Sequence, residues 1–138
     1  MGEAAFLRPR VLLLSALIAL PLPWAVSQAA DGDAARGERA FQRCYSCHSV
    51  DPSETAKLQG PSLYRIVGRP AASIAGFDYS DAMREKSAAG LVWDPATLER
   101  YIADPEALVP GTRMSAPPLR DEQERADLVA YLARPGQR

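Results

Sequence analysis

Apolar residues along this chain recur at the spacing of helices, and no stretch of useful length alternates between apolar and polar positions. Alternation is the mark of a half-buried strand, so the sequence predicts an all-α protein. Helices are predicted over about 33–45, 80–88, 95–103 and 121–133, with a short turn around 63–67. The clearest apolar stripe belongs to the last of these helices and consists of Leu128, Val129, Tyr131 and Leu132.

Capping signals support several of these boundaries. Asp94 followed by Pro95 is typical of a helix start. Asp121 with Glu124 three residues later resembles a capping box. Gly90 stands just past the end of the second predicted helix, where a glycine commonly stops one.

Two long loops separate the predicted helices. Gly60-Pro61 begins the first, and the second spans 109–119, where three prolines exclude a regular helix. We therefore predict helices joined by long ordered loops that need something to pack against.

The first 29 residues resemble a secretory signal peptide. Arg8 and Arg10 precede a short apolar run that ends at Leu20, and small residues follow up to Ala30. We predict cleavage after Ala29, with cleavage after Ser27 as the second choice. The alternative is an uncleaved anchor, but a span needs about 20 apolar residues. The predicted domains are thus a cleaved leader, 1–29, and one domain, 30–138, exported to the periplasm.

Charge excludes one class of partner. The chain has 16 basic and 17 acidic residues, and without the leader 14 basic residues face 16 acidic ones. Nucleic-acid binding needs a strongly basic surface, so no nucleic-acid partner is expected.

The five residues from Cys44 to His48 read C-x-x-C-H, which is the attachment signature of c-type haem. They contain both cysteines and the only histidine of the chain. Two thiols at this spacing can each bond one vinyl group of a haem, and the adjacent imidazole can bind its iron. We predict one haem c attached through Cys44 and Cys47, with His48 as an iron ligand.

Three other interpretations of this motif are weaker. A thioredoxin-like C-x-x-C needs a βαβ context, which the sequence lacks. A structural zinc site usually needs four ligands, and the motif supplies three. A disulfide between the cysteines leaves His48 without a role.

A second iron ligand would have to be a methionine. The predicted mature chain has only Met83 and Met114 and no second histidine. Met114 lies in the proline-rich loop, from which a thioether could reach the iron. Met83 lies inside a predicted helix, where filling the core is the common role of methionine.

Taken in chain order, these motifs resemble those of class I cytochrome c, in its mitochondrial type and its bacterial periplasmic relatives. The similarity extends from about 37 to 132. The resemblance implies a small class I cytochrome c fold, with helices and ordered loops wrapped around one haem. It also implies that Gly37 and Phe41 pack against Tyr131 and Leu128 of the last helix.

The resemblance implies roles on both sides of the iron. The Pro61 carbonyl would accept the Nδ1 proton of His48 and orient its ring. Met114 would be the second iron ligand, in a loop that contains Thr112, and Tyr101 would lie beside its sulfur.

Three further residues would face a haem propionate by the same resemblance: Arg69, Tyr79 and Trp93. The simpler alternative is that the aromatic residues are ordinary core residues, because buried Trp and Tyr usually find a hydrogen-bond partner in any case.

The chain departs from the family pattern at three places that matter, one of which resembles a small insertion, 87–89, before Gly90. Met83 stands where an asparagine is usual beside the haem. Glu106 and Ala107 stand where lysines are typical, and Lys57 and Lys86 are the only lysines in the chain. A lysine ring steers docking onto acidic partners, so its loss puts the usual partners in doubt.

We therefore predict a one-electron carrier that serves redox proteins outside the cytoplasmic membrane, and no enzyme. Membrane contact is expected only through partners or an uncleaved leader. The first alternative is a haem subunit of a larger periplasmic dehydrogenase, so the chain would be a monomer or part of a heteromer. The second is a gas-binding or peroxidatic haem protein with an open sixth site.

Overall fold

The computed structural model describes residues 1–2 and 31–134. The predicted leader, 1–29, therefore lies outside the described residues except for its first two. No helix in the described part is long and apolar enough to cross a membrane.

The described chain is helical, which confirms the predicted fold class. Within residues 31–134 the strand pairing amounts to one isolated bridge between Pro70 and Val92. The helices are α1 (Ala34–Ala40), α2 (Asp81–Ala88), α3 (Pro95–Ala103), α4 (Pro105–Leu108) and α5 (Glu122–Leu132), and a 3-10 turn (Phe41–Arg43) follows α1.

Every one of these α-helices begins with the same hydrogen bond. A Ser or Asp side chain at the N-cap accepts the backbone N–H three residues later, and this satisfies one of the amides that a helix start leaves unpaired. The capping residues are Asp33, Ser80, Asp94, Asp104 and Asp121. At the other end of α2, Gly90 has a φ of 88°, the left-handed conformation that ends the helix as predicted.

Three details differ from the sequence-based expectations. The first helix was expected to reach about residue 45, but α1 ends at Ala40 and the 3-10 turn follows it. The short helix α4 was not predicted, although Asp104-Pro105 repeats the start signal of Asp94-Pro95. Of the two hydrogen bonds of the predicted capping box at α5, one is present: the Asp121 carboxylate accepts the Glu124 N–H at 2.7 Å. The Glu124 carboxylate instead lies 3.2 Å from Arg43.

The first and last helices cross in close contact. A Cβ at Gly37 would overlap the Asp127 carbonyl and the Tyr131 side chain, so only glycine lets the two backbones approach this closely. The Phe41 and Tyr131 rings lie 5.5 Å apart, and both side chains are buried. The predicted contact between the two helices through Gly37, Phe41 and Tyr131 is confirmed.

A buried carboxylate ties the two helices together. Asp127 on α5 is 4% exposed and accepts the Asp33 N–H at 2.7 Å. The Arg36 guanidinium donates to both of its oxygens, at 2.6 and 2.8 Å. The Gln123 amide adds a fourth bond at 3.0 Å, so the carboxylate is fully compensated.

Candidate cofactor site

The helices and loops surround one large cavity of about 1220 Å³. Every residue for which the sequence suggested a cofactor or iron contact lines it, although these residues come from five separate parts of the chain. They are Cys44, Cys47, His48, Pro61, Arg69, Tyr79, Trp93, Tyr101, Thr112 and Met114.

The C-x-x-C-H motif forms a tight turn directly after the 3-10 turn. The Cys47 and His48 amides both donate to the Cys44 carbonyl, at 3.0 and 2.9 Å. Both cysteines are partly buried and are not paired in a disulfide, and burial raises the pKa of the Cys44 thiol. In the described chain, no three His, Cys, Asp or Glu side chains are grouped closely enough to hold a metal ion.

The His48 imidazole is held by the loop that Gly60 begins. Its Nδ1 lies 2.7 Å from the Pro61 carbonyl, so Nδ1–H donates and Nε2 keeps its lone pair. Burial lowers the pKa of His48, against the opposing effect of the Pro61 carbonyl, and the lower pKa favours the neutral ring. A Cβ at Gly60 would overlap the imidazole, so this loop can only carry glycine here without a shift.

The Met114 loop is braced by a hydroxyl pair. The Tyr101 hydroxyl on α3 lies 2.6 Å from Thr112 Oγ1, which also accepts the Met114 N–H at 3.2 Å. Burial raises the pKa of Tyr101, and the bond to Thr112 opposes this shift. The loop backbone near the methionine is thus fixed to a buried tyrosine.

The second methionine also faces the cavity. Met83 on α2 is 7% exposed, whereas Met114 is only partly buried. Both methionines line the same cavity. Which of them is the better candidate for the iron ligand therefore depends on the segment that carries each one. Met83 belongs to a helix whose start is capped by Ser80, and Met114 to a loop.

The three side chains with a suggested propionate contact, Arg69, Tyr79 and Trp93, form another part of the wall. The Arg69 guanidinium donates to the Ser62 and Tyr64 carbonyls at 2.6 and 3.0 Å, so it is already engaged by backbone. The Trp93 side chain is buried, and no group of the described residues accepts its indole N–H. A buried donor without a protein acceptor is rare and is satisfied by an ordered water or by an atom of a bound group.

These features fit a haem. The volume exceeds that of most small-molecule sites, which suits a large, flat cofactor. Two thiols, a neutral imidazole with a free Nε2 and a thioether all border one space. The unpaired Trp93 donor supplies a polar contact of the kind a propionate would accept.

Some lining residues were not predicted individually. Ile66 and Leu98 are buried and complete the apolar wall. Leu98 could have been found, because it lies one helical turn before Tyr101 on α3. Ile66 lies in an irregular turn, where no periodic signal exists.

Comparisons with known proteins point in one direction. A family model described as "Cytochrome c" matches residues 34–134. A protein named cytochrome c2 from Rhodomicrobium vannielii is 43% identical over 118 residues, which are 86% of this chain and 91% of that protein. Cytochrome c 2.1 of Caenorhabditis briggsae is 43% identical over 73% of this chain and 87% of its own length.

A solved structure is similar as well. The structure of cytochrome c2 from Rhodospirillum centenum superposes with a TM-score of 0.69 at 37% identity. The superposition covers 73% of this chain and 96% of that one. The likeness therefore includes nearly all of the solved structure.

Proposed function

Because the chain belongs to the cytochrome c family, we propose that it shuttles single electrons between redox proteins in the periplasm, with His48 and Met114 on the iron. Members of this family are electron carriers and not enzymes. The cofactor of the chain is a covalently bound haem c, and Cys44 and Cys47 stand in the attachment positions. When bound, the haem supplies a one-electron Fe(III)/Fe(II) couple.

One observation carries the proposal. A single cavity is bordered by the C-x-x-C-H turn and by the Met114 loop, which lie far apart in the sequence. Two protein ligands on the iron would leave little room for a substrate, and this favours electron transfer over catalysis or gas binding.

His48 would act as the ligand that is oriented before the cofactor binds. The Pro61 carbonyl holds the Nδ1 proton and directs Nε2 into the cavity. Because burial lowers the pKa of His48 and so favours the neutral ring, less protonation has to be reversed before a metal binds.

Met114 would act as the second ligand, in preference to Met83. The Tyr101–Thr112 bond fixes the backbone beside Met114 without constraining its side chain. A His/Met pair raises the reduction potential relative to other axial pairs.

The proposed partners are redox proteins that bind weakly through a small interface. Four basic residues line the cavity: Arg43, Lys57, Arg69 and Arg113. Arg43 faces Glu124 and Arg113 faces Asp78, while Arg69 donates to backbone carbonyls. With two of the four charges paired, we expect weaker electrostatic steering than a ring of free lysines would give.

The ligand assignment is tested with the ferric holoprotein. Met114→Ala should abolish the Fe(III)–methionine charge-transfer band and allow the reduced protein to bind carbon monoxide. The reduction potential should fall by on the order of 0.1 V or more, since axial ligands set potentials over about 0.8 V. Met83→Leu is the matched control and should keep the band.

A band that survives in Met114→Ala and disappears in Met83→Leu would reverse the assignment. A wild-type protein without the band that binds carbon monoxide readily would favour an open sixth site. The same preparation tests export: the haem protein should come from the periplasmic fraction, with Ala30 at its N-terminus.

A further inference from the structure

Asp78 lies at the centre of an ion-pair network on the protein surface. Its Oδ2 lies 3.0 Å from one terminal nitrogen of Arg113, and its backbone carbonyl accepts from the other. Its Oδ1 lies 2.9 Å from Arg84, which also contacts Asp81 at 3.0 Å. One carboxylate therefore binds two guanidinium groups from different segments.

This network joins two segments that border the haem cavity. Arg113 directly precedes Met114, and Asp78 directly precedes Tyr79, 35 residues earlier in the chain than Arg113. Both Asp78 and Arg113 line the cavity. The contact between them therefore links the proposed ligand loop to the loop before α2.

The ligand loop has few other attachments beyond the methionine. Within residues 31–134, the four positions 115–118 make no hydrogen bond, and the next one is from the Leu119 N–H to the Ile102 carbonyl at 3.0 Å. On the other side, the Thr112 hydroxyl holds the loop to Tyr101. Arg113 is thus the last side-chain anchor before a stretch without backbone bonds.

The network is exposed to solvent, and this determines whether it affects global stability or only the local opening of the loop. Asp78 is 79% exposed and Arg113 56%, and exposed ion pairs add little to global stability. A paired contact from one arginine to a carboxylate and a carbonyl is geometrically specific, however. Its effect should therefore fall on the local opening of this loop, which costs far less than unfolding.

We propose that Asp78 is a positioning residue: through Arg113 it holds the Met114 loop closed over the haem and limits how often the Met114 sulfur leaves the iron. The proposal rests on the proposed His48/Met114 ligation. With the haem bound, an outside donor would take the place of the Met114 sulfur in this exchange, and no electron would be transferred.

The test follows displacement of the methionine by imidazole in the ferric holoprotein. At saturating imidazole, loop opening limits the rate at which the Fe(III)–methionine band disappears. Asp78→Asn should accelerate this rate about three- to tenfold. Arg113→Ala should accelerate it at least as much, because both contacts are lost, and Arg113→Lys should restore part of the effect.

Asp81→Asn is the matched control, because Asp81 contacts Arg84 and is also strongly exposed, 94% against 79% for Asp78, but does not touch Arg113. Its rate should stay within about twofold of wild type. High salt should accelerate the wild type toward Asp78→Asn, since exposed pairs are screened. The denaturant midpoints of Asp78→Asn and Asp81→Asn should coincide, which a purely structural role of Asp78 would not give.

The proposal fails if Asp78→Asn matches the wild-type rate, or if Asp81→Asn is accelerated equally. That failure is distinct from a failure of the ligand assignment. If the methionine band is absent from the wild type or does not depend on Met114, the ligation itself is wrong. If the band depends on Met114 but the rates do not depend on Asp78, only the positioning role is wrong.

Discussion

At Gly60, a single added methyl group would meet the His48 imidazole. The Gly60 N–H donates to the Cys47 carbonyl at 2.8 Å, so the loop backbone is fixed close to the C-x-x-C-H turn. The imidazole is fixed in turn by the Pro61 carbonyl. Neither the loop backbone nor the imidazole can move without breaking a hydrogen bond. Glycine is therefore required at this position, because the backbone lies so close to the ring.

Gly60→Ala should therefore disturb the iron site as well as the fold. We expect a loss of about 1–3 kcal/mol in unfolding free energy, as for overpacked cores, together with a changed visible spectrum of the holoprotein. Denaturant unfolding and absorption spectroscopy check the two effects.

Gly68→Ala serves as the control, since its φ is 82° but no atom lies within 4 Å of the added carbon. It should cost about 1 kcal/mol through backbone strain and leave the spectrum unchanged. An unchanged spectrum in Gly60→Ala would contradict the close approach to His48.

Single residues could be predicted where their chemistry is rare. Two cysteines and the one histidine at a diagnostic spacing need no structure to be recognised. The contact between Arg113 and Asp78 could not be predicted in the same way. Both are common charged residues in irregular loops, and only the fold brings them together.

At the scale of elements, the first helix depends on the last. The apolar side of α1 is short, and its buried positions are Gly37 and Ala40. An isolated helix of this length is not stable in water. Packing against α5 must therefore supply the stability that the intrinsic helix propensity of its residues does not.

Phe41→Ala should expose this dependence. Phe41 is 5% exposed and contacts Tyr131, so its truncation should cost about 3–5 kcal/mol. Equilibrium unfolding of the holoprotein measures this. Tyr45→Ala, at a position that is 67% exposed, should cost well under 1 kcal/mol. Equal losses in the two variants would refute the packing.

The helices followed from the sequence because their ends carry strong local signals. Asp94-Pro95 and Asp121 mark two helix starts, and the structure begins α3 and α5 one residue later. Helix α4 has a similar start, but four residues give no room for a periodic apolar stripe. Its features are the Asp104 cap and the buried Pro105 rather than a repeating pattern.

At the scale of the whole molecule, the buried Asp127 couples stability to pH. The Arg36 guanidinium holds the pKa of the Asp127 carboxyl well below its ordinary value of 3.8. A lowered folded-state pKa stabilises the fold fully above the unfolded pKa, and this contribution is lost as pH falls through the folded pKa. The contribution is therefore complete above about pH 5 and declines in more acidic solution.

Asp127→Asn should flatten that decline. Between about pH 5 and pH 2, the denaturant midpoint of the wild type should fall more steeply than that of the variant, because one fewer carboxylate takes up a proton on unfolding. Midpoints measured across this range check it. The exposed Glu122→Gln should keep the wild-type slope, and parallel curves for Asp127→Asn and wild type would contradict the role of Asp127.

The contact between α1 and α5 also determines when this chain can finish folding. A polypeptide is made from its N-terminus, so Cys44, Cys47 and His48 leave the ribosome long before Tyr131 and Asp127 exist. Until those last residues arrive, α1 has no partner, and the thiols stay on an open chain. The same order holds if the chain crosses a membrane N-terminus first. The late position of α5 thus creates an interval in which a haem can reach both cysteines before the protein closes around it.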